Sequence, residues 1–274
     1  MDPCARARDW SEIQERMLVP LYEAVYERLD VGPATRLLGL RCGSGLALLM
    51  AAARGAAAVT GVDSSPERLA LARERLLPDT ARGRYGGRGT RARTVTELVD
   101  GAPEDTAGTE TAAYTLVTVF EPIGCLAGDS EGLGGQLAAA LPLAGRGAAV
   151  VLAGWGPPER CATSSVLRVA TKLADPLRSA RSWRPARRDD LEEVAQRAGL
   201  KPDGSGRVAC PFGYADLDSA VRGLLSTGLF DAAIAATDAK QVDKELAEAL
   251  HPHRRQDGTV WMPNVFRYLI ARVP

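Results

Sequence analysis

RLLGLRCGSGLALLMAAARGAAAVTGVDSSPERLA, residues 36–70, is the stretch that decides the fold. The run TRLLGL (35–40) is short and apolar, as a buried strand is. A glycine-containing turn at 41–45 follows, then a helix over roughly 46–54 that Gly55 stops. AAVTGVD reads as a second strand ending on Asp63. Ser64 or Ser65 caps the next helix, with Pro66 in its first turn, and that helix runs to about Leu77. Strand, helix, strand, helix begins a parallel sheet with helices packed on its faces.

The turn has chemical meaning. A glycine turn that leaves a strand and opens a helix brings backbone N–H groups close to a ligand. An acid at the end of the following strand then accepts hydrogen bonds from a ribose diol. Gly45 and Asp63 are 18 residues apart, near the roughly 20 of that geometry. An NAD-dependent dehydrogenase is excluded, because no third glycine lies at the required spacing and no catalytic Tyr/Lys pair appears.

Outward from this window, residues 7–29 predict a helix that Pro20 breaks into two. Residues 78–92 are rich in Gly and Arg and read as an irregular connection. Further strands are expected at 93–99, 114–120 and 147–155, with a helix at 131–141 between the last two. Beyond 156 come an amphipathic helix at 162–174, a Pro/Arg/Ser-rich stretch at 176–188, and a helix near 189–198 capped by Asp189 or Asp190. A short strand around 206–211, two or three helices over 215–250, and a closing strand at 259–273 entered through Pro263 complete the chain.

Composition narrows the function. With 34 basic and 34 acidic residues the formal charge is zero, so the footprint of a nucleic-acid or anionic-membrane binder is missing. Hydrophobic residues make up 46%, enough for a substantial core, while 5% aromatics argue against base-stacking platforms. No apolar run is long enough to span a bilayer, and the start lacks the apolar core of a signal peptide. Five irregularly spaced cysteines (4, 42, 125, 161 and 210) form no CxxC pair. With only two histidines, a cytoplasmic protein without a metal site is expected. The Arg, Ala and Gly excess reads as the codon bias of a GC-rich bacterial genome.

GLRCGSG (39–45) resembles the first motif of class I S-adenosylmethionine-dependent methyltransferases. The resemblance places Asp63 on the ribose hydroxyls and Asp100, in ELVDGAPED, at the adenine amino group. YTLVTVFEPIG is similar to the fourth motif and LPLAGRGAAVVLAGWG to the fifth strand and its turn, in a likeness closest to small-molecule enzymes of bacterial secondary metabolism. It implies an α/β, three-layer Rossmann-like methyltransferase fold. A mostly parallel seven-stranded sheet would have helices on both faces, N-terminal helices, and a helical insertion before the last strand. The whole of 1–274 reads as a single domain, with an N-terminal cover at 1–30, a cofactor-binding core at 35–155 and a helical lid at 212–256. The implied cofactor is S-adenosyl-L-methionine, facing Gly39, Arg41, Gly43, Gly45, Asp63, Ser64, Asp100, Gly101 and Phe120. The implied partner is a small-molecule acceptor, with no nucleic acid or membrane, in a monomer or homodimer.

Two positions depart from the pattern. Gly39 stands where the family has its acid, and Arg41 where it has the first glycine of the turn. Arg41 either intrudes on the methionine moiety, pairs with the cofactor carboxylate, or turns to solvent while Gly43 and Gly45 keep the turn. Glu121, after the fourth strand, is the candidate nearest the transferred methyl, and His251 and His253 are candidate bases if the lid folds over the pocket. Trp155, Tyr22 and Trp261 are acceptor-binding candidates, though Trp10, Tyr22 and Tyr26 also fit a packed helix face. Cys42 and Cys125 are read as core. The alternative is a chain that has lost methyl transfer, with Thr115 also standing where relatives carry an acid. It would then bind a ligand for regulation or catalyse a cofactor-independent cyclisation.

Overall fold

The computed structural model describes residues 2–77, 94–106, 113–124, 129–174 and 190–274. The readings for 78–92, Cys125, 176–188 and Asp189 lie outside the described residues.

The strand order follows from burial. β1 (Arg36–Leu40) and β2 (Ala58–Asp63) are apolar on both faces, as central parallel strands must be. With β3 (Val95–Asp100), β4 (Tyr114–Ile123), β5 (Ala144–Trp155), β6 (Lys201–Ala209) and β9 (Val265–Arg272) they form one seven-stranded sheet in the order β3-β2-β1-β4-β5-β9-β6. β9 alone runs antiparallel to its neighbours. β7 (Phe212–Tyr214) and β8 (Val260–Met262) pair as a separate ribbon. The closing segment is thus two strands, not one. Pro263 has no N–H for a ladder, and Asn264 turns its side chain onto Thr163 instead. β6 also begins earlier than the sequence implied.

Helices cover both faces. One core, on the side of α2 (Val19–Arg28), α3 (Leu46–Ala53) and α6 (Thr163–Ala174), contains Leu21, Tyr26, Leu48 and Val166. The other, under α5 (Leu133–Ala140) and α7 (Asp190–Arg197), contains Leu137, Val150 and Leu191. α4 (Pro66–Leu76) starts as predicted, with the Ser65 hydroxyl accepting from the Arg68 N–H. The helices α8 (Leu217–Ser226), α9 (Asp231–Ala236) and α10 (Ala239–Leu250) form the insertion. No helix among the described residues is long and apolar enough to cross a membrane.

The N-terminal segment corrects the predicted break. α1 (Pro3–Asp9) leads into a π-turn at Trp10–Gln14 and a 3-10 turn at Glu15–Leu18 before α2. Pro20 lies in the first turn of α2, where its missing N–H is no loss, so it starts a helix and breaks none. The irregular turns fall at 10–18, against α8, where Ile13 abuts Gly223 and the Tyr214 hydroxyl donates to Gln14 Oε1 at 2.9 Å.

Candidate functional site at the carboxyl ends of β1, β2 and β4

The strand order reverses between β1 and β4, and ligands of open α/β sheets bind at that point, outside the carboxyl ends of the strands. The turn 41–45 emerges there with Arg41, Gly43 and Gly45 all at positive φ (50°, 59° and 77°). Asp63, buried, holds the turn from the neighbouring strand. Its Oδ2 accepts the Gly43 N–H at 2.8 Å and its Oδ1 the Ser65 N–H at 2.9 Å. A residue read as a ribose ligand is therefore also the clamp that ties turn to helix. Cys42 packs against Gly61 of β2, and burial first of all pushes its thiol far above the ordinary range, as a core cysteine requires.

Arg41 borders the space over the turn, but its guanidinium is drawn away to the β4–α5 side. Its Nε donates to Gln136 Oε1 at 3.0 Å and its Nη2 to the Glu131 carbonyl at 2.8 Å. Longer contacts of 3.4 Å reach Glu121 Oε2 and the Asp129 carbonyl. The guanidinium is spent on the β4–α5 connection. The missing acid at 39 has a structural counterpart that the sequence reading overlooked. A side chain on Gly39 would meet Leu48 at 3.0 Å, and Glu15 supplies a carboxylate to the turn from the N-terminal segment. Glu15 accepts from the Ser44 hydroxyl, from Arg75 Nη1 at 2.9 Å and from the Leu46 N–H at 3.4 Å. Burial is the largest influence on it and pushes its carboxyl up, against the lowering by Ser44 and Arg75.

Three compartments meet here. The polar one, about 280 Å³, is lined by Asp63, Ser64, Arg68, Gly101 and Gln136. The apolar one, about 250 Å³, is lined by Leu18, Trp155, Phe212, Leu229 and Phe266, with the Trp155 ring tilted against Phe266 at 4.6 Å. Arg41 and Glu121 line both and stand between them. The third lies directly over the glycine turn, beside Gly39, Gly43, Tyr22 and Phe120, and holds only about 20 Å³. That is room for one water. Trp10 and Glu15 crowd it: Trp10 Nε1 and Glu15 Oε1 lie 2.9 and 3.1 Å from where a Cβ on Gly43 would stand, and Arg68 stacks on the indole at 4.6 Å.

Other candidates fall elsewhere. Asp100 ends β3 with an exposed side chain and lines none of the three compartments, although its neighbour Gly101 does. Gly45 caps α3 and faces Ala72. Tyr22 is buried and packs 4.7 Å from Phe120, a core contact at the edge of the inner cavity. His251 is exposed, and His253 lines a separate groove with Pro158, Cys161 and Arg168, so the structure does not bring these histidines to the switch point as bases. The physical reason is that the turn after α10 leads away to β8. Trp261, 39% exposed, lies against Gly213 under Arg255 and contacts none of the compartments either. No group of three potential metal ligands exists among the described residues.

The fold is that of the class I methyltransferases: a seven-stranded sheet with its sixth strand in the row reversed, a glycine turn after β1 and an acid at the end of β2. A proposed methyltransferase from Bacillus halodurans superposes with a TM-score of 0.53 at 14% identity, covering 92% of this chain and 98% of that one. A proposed type II methyltransferase from Anaeromyxobacter dehalogenans gives 0.53 at 19%, covering 91% and 94%. The cyclase SpnF gives 0.50 at 17%, covering 93% and 80%. No family model matches the chain, and no curated protein matches its sequence.

Proposed function

We propose that the protein is an S-adenosylmethionine-dependent methyltransferase acting on a small, largely apolar metabolite. One observation carries this reading: a polar compartment and an aromatic-lined compartment meet at a single wall, Arg41 and Glu121, at the switch point of the sheet. That is the arrangement of a two-substrate reaction in which donor and acceptor approach from opposite sides. The polar compartment suits the nucleoside, with Asp63, Ser64 and Gly101 facing it. The amino-acid arm does not fit over the glycine turn while Trp10 is seated there. Bound cofactor supplies an electrophilic methyl group, and the chain's own work is alignment. Trp155, Phe212 and Phe266 exclude water from the acceptor. Glu121, its side chain 35% exposed and held by Arg41, has a free face to accept a hydrogen bond from an acceptor hydroxyl.

The filled inner cavity favours a second reading, in which methyl transfer has been lost and the apolar compartment serves a ligand or a cyclisation. Class I folds host such chemistry, SpnF being a cyclase. Calorimetric titration with S-adenosylmethionine and S-adenosylhomocysteine separates the two. Micromolar binding of either supports the transferase; no heat at millimolar ligand, with no thermal shift, overturns it.

A further inference from the structure

Trp10 is unusual in three respects. Its indole N–H is buried and has no hydrogen-bond acceptor among the described residues, although such groups are nearly always paired. It sits, beside the fixed Glu15 carboxylate, on the glycine of the turn whose missing side chain would leave a ligand room. It also opens a π-turn, an irregularity that lets a helix change path locally, while Glu15, just beyond that turn, is fastened by Ser44 and Arg75. The turn itself is fastened, Ser11 to Ser44 and Arg75 and Gln14 to Tyr214, so the indole can leave Gly43 only by turning its own side chain. Arg68 ties it to the insertion, stacking on the ring and donating to the Ser226 carbonyl at 3.3 Å.

We infer that Trp10 is a specificity-determining gate: with it seated, the site admits a nucleoside without an amino-acid arm, and the arm enters only when the indole vacates Gly43. The inference rests on the proposed nucleoside role of the polar compartment. That compartment is open in the seated state and the cavity over Gly43 is not. The apparent affinity for an arm-bearing ligand is then lowered by the fraction of molecules whose gate is open, whereas adenosine is unaffected.

The test is titration of wild type and Trp10→Ala with adenosine and with S-adenosylhomocysteine. The expected result is a tightening for S-adenosylhomocysteine of roughly tenfold or more, as for a gate open in about one molecule in ten, with adenosine unchanged within about twofold. An equal change for both ligands, or none, overturns the gate. Adenosine failing to bind either protein is a different result: it removes the nucleoside reading of the polar compartment, and the gate with it. Should Trp10→Ala not fold, Trp10→Leu takes its place: S-adenosylhomocysteine should again tighten while adenosine does not, and an equal change for both or none overturns the inference.

Discussion

Arg41→Gly sets two opposed effects against each other. At φ 50° a non-glycine residue is strained by roughly 1–2 kcal/mol, and glycine relieves it. The side chain, however, makes two well-formed charged hydrogen bonds, to Gln136 at 3.0 Å and to the Glu131 carbonyl at 2.8 Å. At about 1.5 kcal/mol each they contribute about 3 kcal/mol, and the 3.4 Å contacts to Glu121 and Asp129 add little. The net expectation is a loss of about 1–2 kcal/mol. Arg41→Ala keeps the strain and loses the bonds, so it should fall about 1 kcal/mol or more below Arg41→Gly. Urea unfolding of the three proteins, extrapolated to water, measures both differences. A glycine variant more stable than wild type would refute the tether, and equal glycine and alanine variants would refute the left-handed backbone. Because the guanidinium is turned toward α5, Arg41→Gly should also leave S-adenosylhomocysteine affinity within about threefold; a tenfold gain, about 1.4 kcal/mol, means the side chain does obstruct the site.

Asp63→Ala leaves the N–H groups of Gly43 and Ser65 without their acceptor, so a stability loss of about 2–4 kcal/mol is expected alongside any loss of nucleoside binding. Unchanged urea unfolding would show that the clamp is dispensable. Glu15 is raised by burial from the ordinary 4.5, so the folded state holds its proton where the unfolded chain has lost it. Its contribution therefore declines as pH climbs from about 4.5 through the folded value, and Glu15→Gln should flatten that decline. A stability difference between wild type and Glu15→Gln that does not vary with pH would contradict it.

What was legible in the sequence was local. β1, its glycine turn and β2 announce themselves because central parallel strands are apolar throughout and a turn at positive φ favours glycine. The Ser65 cap and Pro66 were readable for the same reason, since cap and helix lie within four residues. What escaped depends on contacts distant in sequence. Nothing near Glu15 signals that it meets Ser44, 29 positions away, or Arg75, 60 away. The direction of Arg41 is set by Gln136, 95 residues on. His251 and His253 attracted attention by their closeness in sequence, but the chain's path after α10 carries them to another groove. The apolar run at 259–273 concealed its break because Asn264, polar and 2% exposed, is satisfied by Thr163 from a different element.

The altered first motif follows a consistent physical logic. A turn at this position needs its N–H groups held and its backbone bare. Asp63 holds the Gly43 N–H and Glu15 reaches the Ser44 hydroxyl and the Leu46 N–H. The acid absent from position 39 is therefore not needed to order the turn, and Leu48 has taken its space. Arg41 brings a positive charge to a place that a sulfonium would share, yet Glu121 and two backbone carbonyls of the β4–α5 connection draw that charge aside. Both departures are thus absorbed by groups outside the motif, and neither one closes the site. The turn is covered instead by Trp10, a residue outside the motif altogether, seated over Gly43 beside Glu15. The question of activity accordingly moves from the residues that changed in the turn to the one that covers it.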